Sequence, residues 1–190
     1  MSDTELFTID VVQRMFPHTK IPAIEANLPY VLDSLDRFGL NDKEMILMAL
    51  STIRAETESF YPISEYRSKY NTSPNADHPY DKYDYRKDLG NQGPPDGDTY
   101  KGRGYIQLTG RYNYESIGEQ LGVDLVNDPD LANDPGIAAD ILAIFLLSHE
   151  TKIRGALAEG DLTLARKAVN GGSHGLEVFE DAFLTGEELV

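Results

Sequence analysis

The sequence predicts a mainly α protein: a helical bundle with one small β-hairpin and one long loop. Three observations lead there. Apolar residues recur at helical spacing through most of the chain; that pattern gives way to Pro, Gly, Asn, Asp and Tyr only between Tyr70 and Tyr100; and no internal repeat or Pro- or Ser-rich linker divides the chain into modules. At 190 residues the chain suits a single domain over 1–190 and is long enough to bury a real core.

Each element follows from its pattern. Phe7, Val11, Val12 and Met15 share one helical face, and after a start at Pro22 the residues Ile24, Leu28, Val31, Leu32 and Leu35 form a second stripe that stops at Gly39. Asn41 and Glu44 have capping-box spacing ahead of a helix that turns Ile46, Ala49, Leu50 and Ile53 inward and ends near Phe60 and Pro62. The 70–100 stretch is long for a mere connection, and loops of that length are commonly functional. Its tyrosines, Tyr80, Tyr83 and Tyr85, suit either of two uses: flat faces for sugar rings, or packing of the loop on itself. Asn113–Leu121 reads as a helix, Ile137–Ser148 as a helix apolar nearly all round, Leu162–Val169 as a shorter helix ending at Asn170, and the tail from Leu176 as a final helix.

Composition excludes several functions. A net charge of -15 lacks the Lys and Arg fields that neutralise phosphates, so nucleic acid is not an expected partner; the charge is read as a solvated acidic surface. The absence of cysteine removes disulfides, thiolate metal sites and a cysteine nucleophile. His18, His78, His149 and His174 show no metal-ligand spacing, and no cofactor is expected. Ser148-His149-Glu150 forms a triad only on paper, because neighbours on a helix do not face one another. Residues 1–10 lack the features of a secretory signal, and Ile137–Leu147 is too short to span a bilayer. Synthesis as a cytoplasmic product without membrane insertion is therefore expected, with release needed to reach any external substrate, and a monomer is expected.

Glu56 falls near the C-terminal end of its helix, at the flank of the apolar face. Partial burial and the negative helix end both disfavour a charged carboxylate, as a general acid requires. Among 32 acidic residues, position alone would leave it an ordinary surface glutamate. Glu65 follows nine residues later, after the turn at Pro62. A Glu pair at that interval is weak evidence by itself. Far more specific is Tyr100-Lys101-Gly102-Arg103-Gly104-Tyr105-Ile106-Gln107-Leu108-Thr109-Gly110-Arg111-Tyr112-Asn113-Tyr114. Its glycines permit close backbone approach, and Gln107, Thr109 and Asn113 offer neutral hydrogen-bonding groups suited to acetamides, hydroxyls and water. Arg103, between two glycines, reads either as a ligand contact or as a buried guanidinium fixing the loop.

This run resembles the signature of family 19 glycoside hydrolases, which holds plant-type chitinases and phage endolysins. The resemblance spans most of 40–181. In its register, Ala55-Glu56-Thr57 stands where the family has His-Glu-Thr or His-Glu-Ser, so Glu56 resembles the catalytic acid, and Ala55 departs from the histidine. Glu65 matches the second carboxylate as spaced in the endolysin-like branch. Thr109 matches the Ser or Thr that helps hold the attacking water; Gln107, Tyr112, Asn113 and, in Val169-Asn170-Gly171-Gly172, Asn170 match substrate-contacting positions; and the helix from Ile137 resembles the buried central helix. What the resemblance implies is an α+β lysozyme-like fold and a single catalytic domain without a separate wall-binding domain. It further implies metal-free, inverting hydrolysis of β-1,4 linkages in N-acetylglucosamine polymers, with peptidoglycan expected ahead of chitin. A non-catalytic sugar-binding module is the rival that Ala55 keeps open.

Overall fold

The computed structural model describes residues 2–170 and 175–190. Its α-helices are α1 (Ile9–Met15), α2 (Ile21–Arg37), α3 (Lys43–Thr57), α4 (Asp96–Thr99), α5 (Arg111–Leu121), α6 (Pro135–Ala158), α7 (Leu162–Asn170) and α8 (Leu176–Leu189). The chain divides into two compact units, Met1–Tyr61 with Ala139–Val190, and Pro62–Ala138.

The first unit is a helical bundle whose centre is α3. Met45 through Leu50 and Ile53 are buried on every side of that helix, each apolar side chain contributing about 1.5–3 kcal/mol relative to exposure. The sequence had marked the apolar helix from Ile137 as central. The structure buries α6 through Ala138–Leu146 but leaves Leu147 exposed, so α3 holds the deeper place. The N-cap of α3 is Asp42, one residue beyond the expected Asn41: Asp42 Oδ1 accepts from Met45 N at 3.2 Å, whereas Asn41 is spent on Asp36. Asp42 also receives two bonds from Arg154 on α6, at 3.1 and 2.7 Å. Burial alone would raise its pKa, but the Arg154 guanidinium and the Met45 N–H outweigh that and hold it below the usual aspartate value. Helix α8 packs on α3 and α1, and Gly186 permits the approach. A Cβ there would lie 2.4 Å from Leu47 Cδ2 and 2.9 Å from Met15 Sδ.

The second unit has little regular structure, and polar side chains bonded to backbone take the place of a sheet. The expected hairpin shrinks to one antiparallel bridge, Arg103 with Leu108. Arg103 is its hub. Buried at 4% exposure, it donates to Thr99 O at 2.9 Å, Tyr114 Oη at 3.0 Å and Asp130 Oδ1 at 2.9 Å, which settles it as the guanidinium that fixes the loop. Arg111 grips Asp96 with two bonds, at 2.9 and 2.6 Å, and lies over the Tyr100 ring. The long loop is ordered into short turns at Asp81–Tyr83 and Lys87–Leu89 and by α4. Buried Asp84 accepts from Gly97 N at 2.9 Å and meets His78 Nε2 at 2.6 Å.

Candidate active site

Glu56 sits in the last turn of α3, in the first unit. Its Oε1 accepts from Arg166 Nη2 at 2.6 Å; Arg166, on α7, is fully buried and carries its guanidinium over the Phe179 ring of α8. The sequence reading weighed burial and the helix end but had no cation for this carboxylate. That cation lies 110 positions away along the chain, beyond the reach of local pattern. Glu58, on the exposed side as expected, and Phe60 both take left-handed backbone, φ 48° and 58°, where the chain leaves α3. Such conformations are costly for non-glycine residues and persist only where packing enforces them. Phe60 is fully buried, edge-on to Phe16 at 4.8 Å, and the Thr19 hydroxyl donates to the Glu58 carbonyl. The Ala55 methyl lies 3.3 Å from where a Cβ on Gly175 would be, so the small residue at 55 fits closely against the start of α8.

Glu65 belongs to the second unit and is held by three donors. Asn71 Nδ2 and Tyr83 Oη donate to Oε1 at 2.9 and 2.8 Å, and Gly102 N donates to Oε2 at 3.3 Å. Its backbone is fixed too: Glu65 N donates to Gly102 O at 2.7 Å, and Tyr80 Oη donates to the Glu65 carbonyl at 2.6 Å. Burial first, and then the bond to Glu65, push the Tyr83 phenol up to about 12. Tyr80 and Tyr83 thus take the loop-packing alternative, while Tyr85 is 72% exposed.

Gly102 joins this carboxylate to the rest of the motif. A Cβ on Gly102 would stand 2.9 Å from Gln107 Oε1 and 3.2 Å from Thr109 Oγ1, so any larger residue would press on both side chains. Gln107 takes φ 53°, and its Nε2 donates to Ile63 O at 3.0 Å and Gly104 O at 3.1 Å. Thr109 Oγ1 donates to Gln107 O at 2.7 Å, and Asn113 Nδ2 to Thr109 O at 2.7 Å. The Gln107 amide nitrogen therefore holds the segment that leads to Glu65, and that of Asn113 holds the backbone at Thr109. Tyr112, in the first turn of α5, is 62% exposed. Asn170 ends α7, and its side chain lies outside the described residues.

Among the described residues no group of three or more His, Asp or Glu is arranged to hold a metal ion. Ser148 Oγ does come within 2.9 Å of His149 Nδ1, against expectation, but both also meet the Phe145 carbonyl, and Glu150 pairs with Arg154 instead.

The model of the class I chitinases, glycoside hydrolase family 19, matches residues 57–156, more than half of the chain. The chain belongs to that family. Within this family-19 chain, Glu65, Gln107, Thr109, Tyr112 and Asn113 fall inside the matched stretch, Glu56 one residue ahead of it and Asn170 beyond it. Among curated relatives, rice Chitinase 11 is 47% identical over 55 residues, 29% of this chain and 22% of that protein. Rice Chitinase 8 is 32% identical over 93 residues, 49% and 34% of the two chains. The family-19 chain thus spans about a third or less of the length of these relatives. Chitinase C from Streptomyces griseus HUT6037 superposes with a TM-score of 0.64 at 19% identity, covering 97% of this chain and 76% of that one. At that identity the likeness is one of fold, mainly α and lysozyme-like.

Proposed function

We propose that this family-19 chain is an inverting glycoside hydrolase of β-1,4-linked N-acetylglucosamine polymers, with chitin its first substrate, Glu56 its general acid and Glu65 its general base. Glu56 gives its proton to the glycosidic oxygen as the C1–O bond breaks. Water adds to C1 from the opposite face, and its proton passes to Glu65. The products are a chain end with a new 4-hydroxyl and a hemiacetal of inverted configuration. No metal or organic group is needed for that balance.

The observation that carries this reading is the carboxylate of Glu65, met only by donors and joined through Gly102 to Thr109. Thr109 has its proton committed to the Gln107 carbonyl, so towards a water its hydroxyl oxygen is an acceptor. A water that donates one hydrogen to Glu65 and the other to Thr109 keeps its lone pairs for the anomeric carbon. Tyr112, with its exposed ring, is assigned to stacking on a sugar face, and Asn113 and Asn170 to contacts with the sugar.

Chitin is favoured by relatives such as rice Chitinase 11 and Chitinase 8, both named as chitinases. Peptidoglycan is the second reading, favoured by the nine-residue interval between Glu56 and Glu65, which resembles the endolysin-like branch. The test is mass spectrometry of soluble products from chitin hexamer and, separately, purified peptidoglycan, with wild type, Glu56→Gln and Glu65→Gln. Each variant is expected to lose on the order of 10²–10⁴-fold in turnover. Wild-type rates in a folded Glu56→Gln protein, or release of the retained anomer, would sink the proposal.

A further inference from the structure

We infer that Asn71 and Tyr83 are positioning residues that saturate one oxygen of Glu65, so that its Oε2 alone is the atom that takes the proton from water. The inference rests on the role of Glu65 proposed above and goes beyond it by naming the reacting oxygen and the two residues that select it.

The two oxygens of this carboxylate are in unequal surroundings. Oε1 accepts bonds of 2.9 and 2.8 Å from Asn71 Nδ2 and Tyr83 Oη, which fill its two lone-pair directions. Among the described residues Oε2 has only the Gly102 N–H, at a long 3.3 Å. A proton from water therefore has a place on Oε2 and none on Oε1. Gly102 also brings Thr109 Oγ1 close, so the available carboxylate oxygen and the acceptor hydroxyl are served by one residue.

Both donors are themselves anchored. Asn71 Nδ2 also donates to the Tyr66 carbonyl at 2.8 Å, while its Oδ1 accepts from Ser68 N at 2.8 Å and Thr72 Oγ1 at 2.9 Å. All four bonding directions of the amide are used, which fixes which end faces Glu65. Tyr83 sits in the Asp81–Tyr83 turn, and its carbonyl accepts from Asn91 Nδ2 at 2.8 Å. With its pKa at about 12, the phenol remains a donor across the working range. The long loop therefore serves the carboxylate directly.

The phenols of Tyr80, Tyr83 and Tyr114 around Glu65 are all pushed up first by burial, and the charged groups that act on them include Asp98, Asp130, Arg67 and Arg103, with Lys101 over the Tyr80 ring.

The experiment compares Tyr83→Phe, Asn71→Asp and Glu65→Gln with wild type on chitin hexamer, from pH 3.5 to 9, with thermal melting to establish folding. Asn71→Asp keeps the acceptor for Ser68 and Thr72 but faces Glu65 with an acceptor in place of a donor. Loss of the Tyr83 hydroxyl is expected to lower kcat about tenfold with KM within about twofold, because the carboxylate loses one of the donors that orient it. Asn71→Asp should lower kcat further, again with KM little changed. If Tyr83→Phe and Asn71→Asp keep the wild-type kcat while Glu65→Gln is inactive, the inference is overturned and the role of Glu65 stands. If Glu65→Gln turns over like wild type, the role of Glu65 itself is wrong.

Discussion

Gly102 is the glycine of the site that meets Gln107, Thr109 and Glu65 together. An alanine methyl there would meet Gln107 Oε1 at 2.9 Å and Thr109 Oγ1 at 3.2 Å, and both side chains are already committed to holding backbone. Either those side chains or the Gly102 backbone must give by a few tenths of an ångström, and any backbone shift reaches Glu65, whose N and Oε2 are both bonded to Gly102. Gly102→Ala is accordingly expected to lose on the order of 10–10²-fold in kcat/KM. The accompanying loss of stability should be no more than about 1–3 kcal/mol. Turnover and chemical denaturation on one preparation check both; unchanged turnover would show that Thr109 and Gln107 do not depend on the closeness of this glycine. At this scale the sequence was informative where one short motif gathers the candidate residues, as it does from Gly102 to Asn113. It was silent on Arg166 and Asn71 and marked Tyr83 only as one of three loop tyrosines. Their partnerships with Glu56 and Glu65 cross 110, 6 and 18 positions and follow no helical or strand period.

Among the elements, the helices were legible because each buries one stripe or the whole of itself. The predicted starts and ends of α2 and α7 and the start of α8 lie within a residue or two of those observed, and α6 runs longer than its apolar part because its polar last turns continue to Ala158. The second unit was less legible. Its order comes from individual polar side chains such as Arg103, Arg111 and Asp84 bonded to distant groups, for which sequence carries no periodic signal. The misplaced cap of α3 has a definite cause: Asn41 and Asp42 are both good capping residues, and tertiary contacts assign Asn41 to Asp36 and Asp42 to the helix. Asp42→Ala should therefore destabilise the protein by about 1–2 kcal/mol through loss of the cap, whereas Asn41→Ala should cost less. The difference would be read as a shift in the urea midpoint at constant slope. Equal costs would mean that α3 does not depend on this cap.

For the molecule as a whole, the largest electrostatic fact is the net charge of -15, whose self-repulsion weakens the compact state at neutral pH. Lowering the pH towards the carboxylate range relieves it. His78 acts in the same direction: its bond to Asp84 raises the folded pKa, so its stabilisation is fully present below the unfolded value and is lost as pH rises through the folded one. Opposing both are aspartates whose folded pKa is depressed: Asp96, held down by Arg111, and Asp42, where Arg154 and Met45 N–H outweigh burial. Their contribution is present above the unfolded aspartate value of about 3.9 and is lost as pH falls through the lower folded values. Stability should thus rise modestly from pH 8 to about 5 and fall steeply below about 4. Added salt should stabilise the protein at pH 8, where repulsion between like charges dominates, and do little near pH 5. Melting temperatures across that range, at roughly 0.02 and 0.5 M sodium chloride, separate the two effects, since the Debye length shrinks from about 20 Å to about 4 Å between them. A melting temperature at pH 8 that is indifferent to salt would mean that the acidic surface is dispersed well enough to cost the fold nothing, leaving the pH profile to the individual ion pairs.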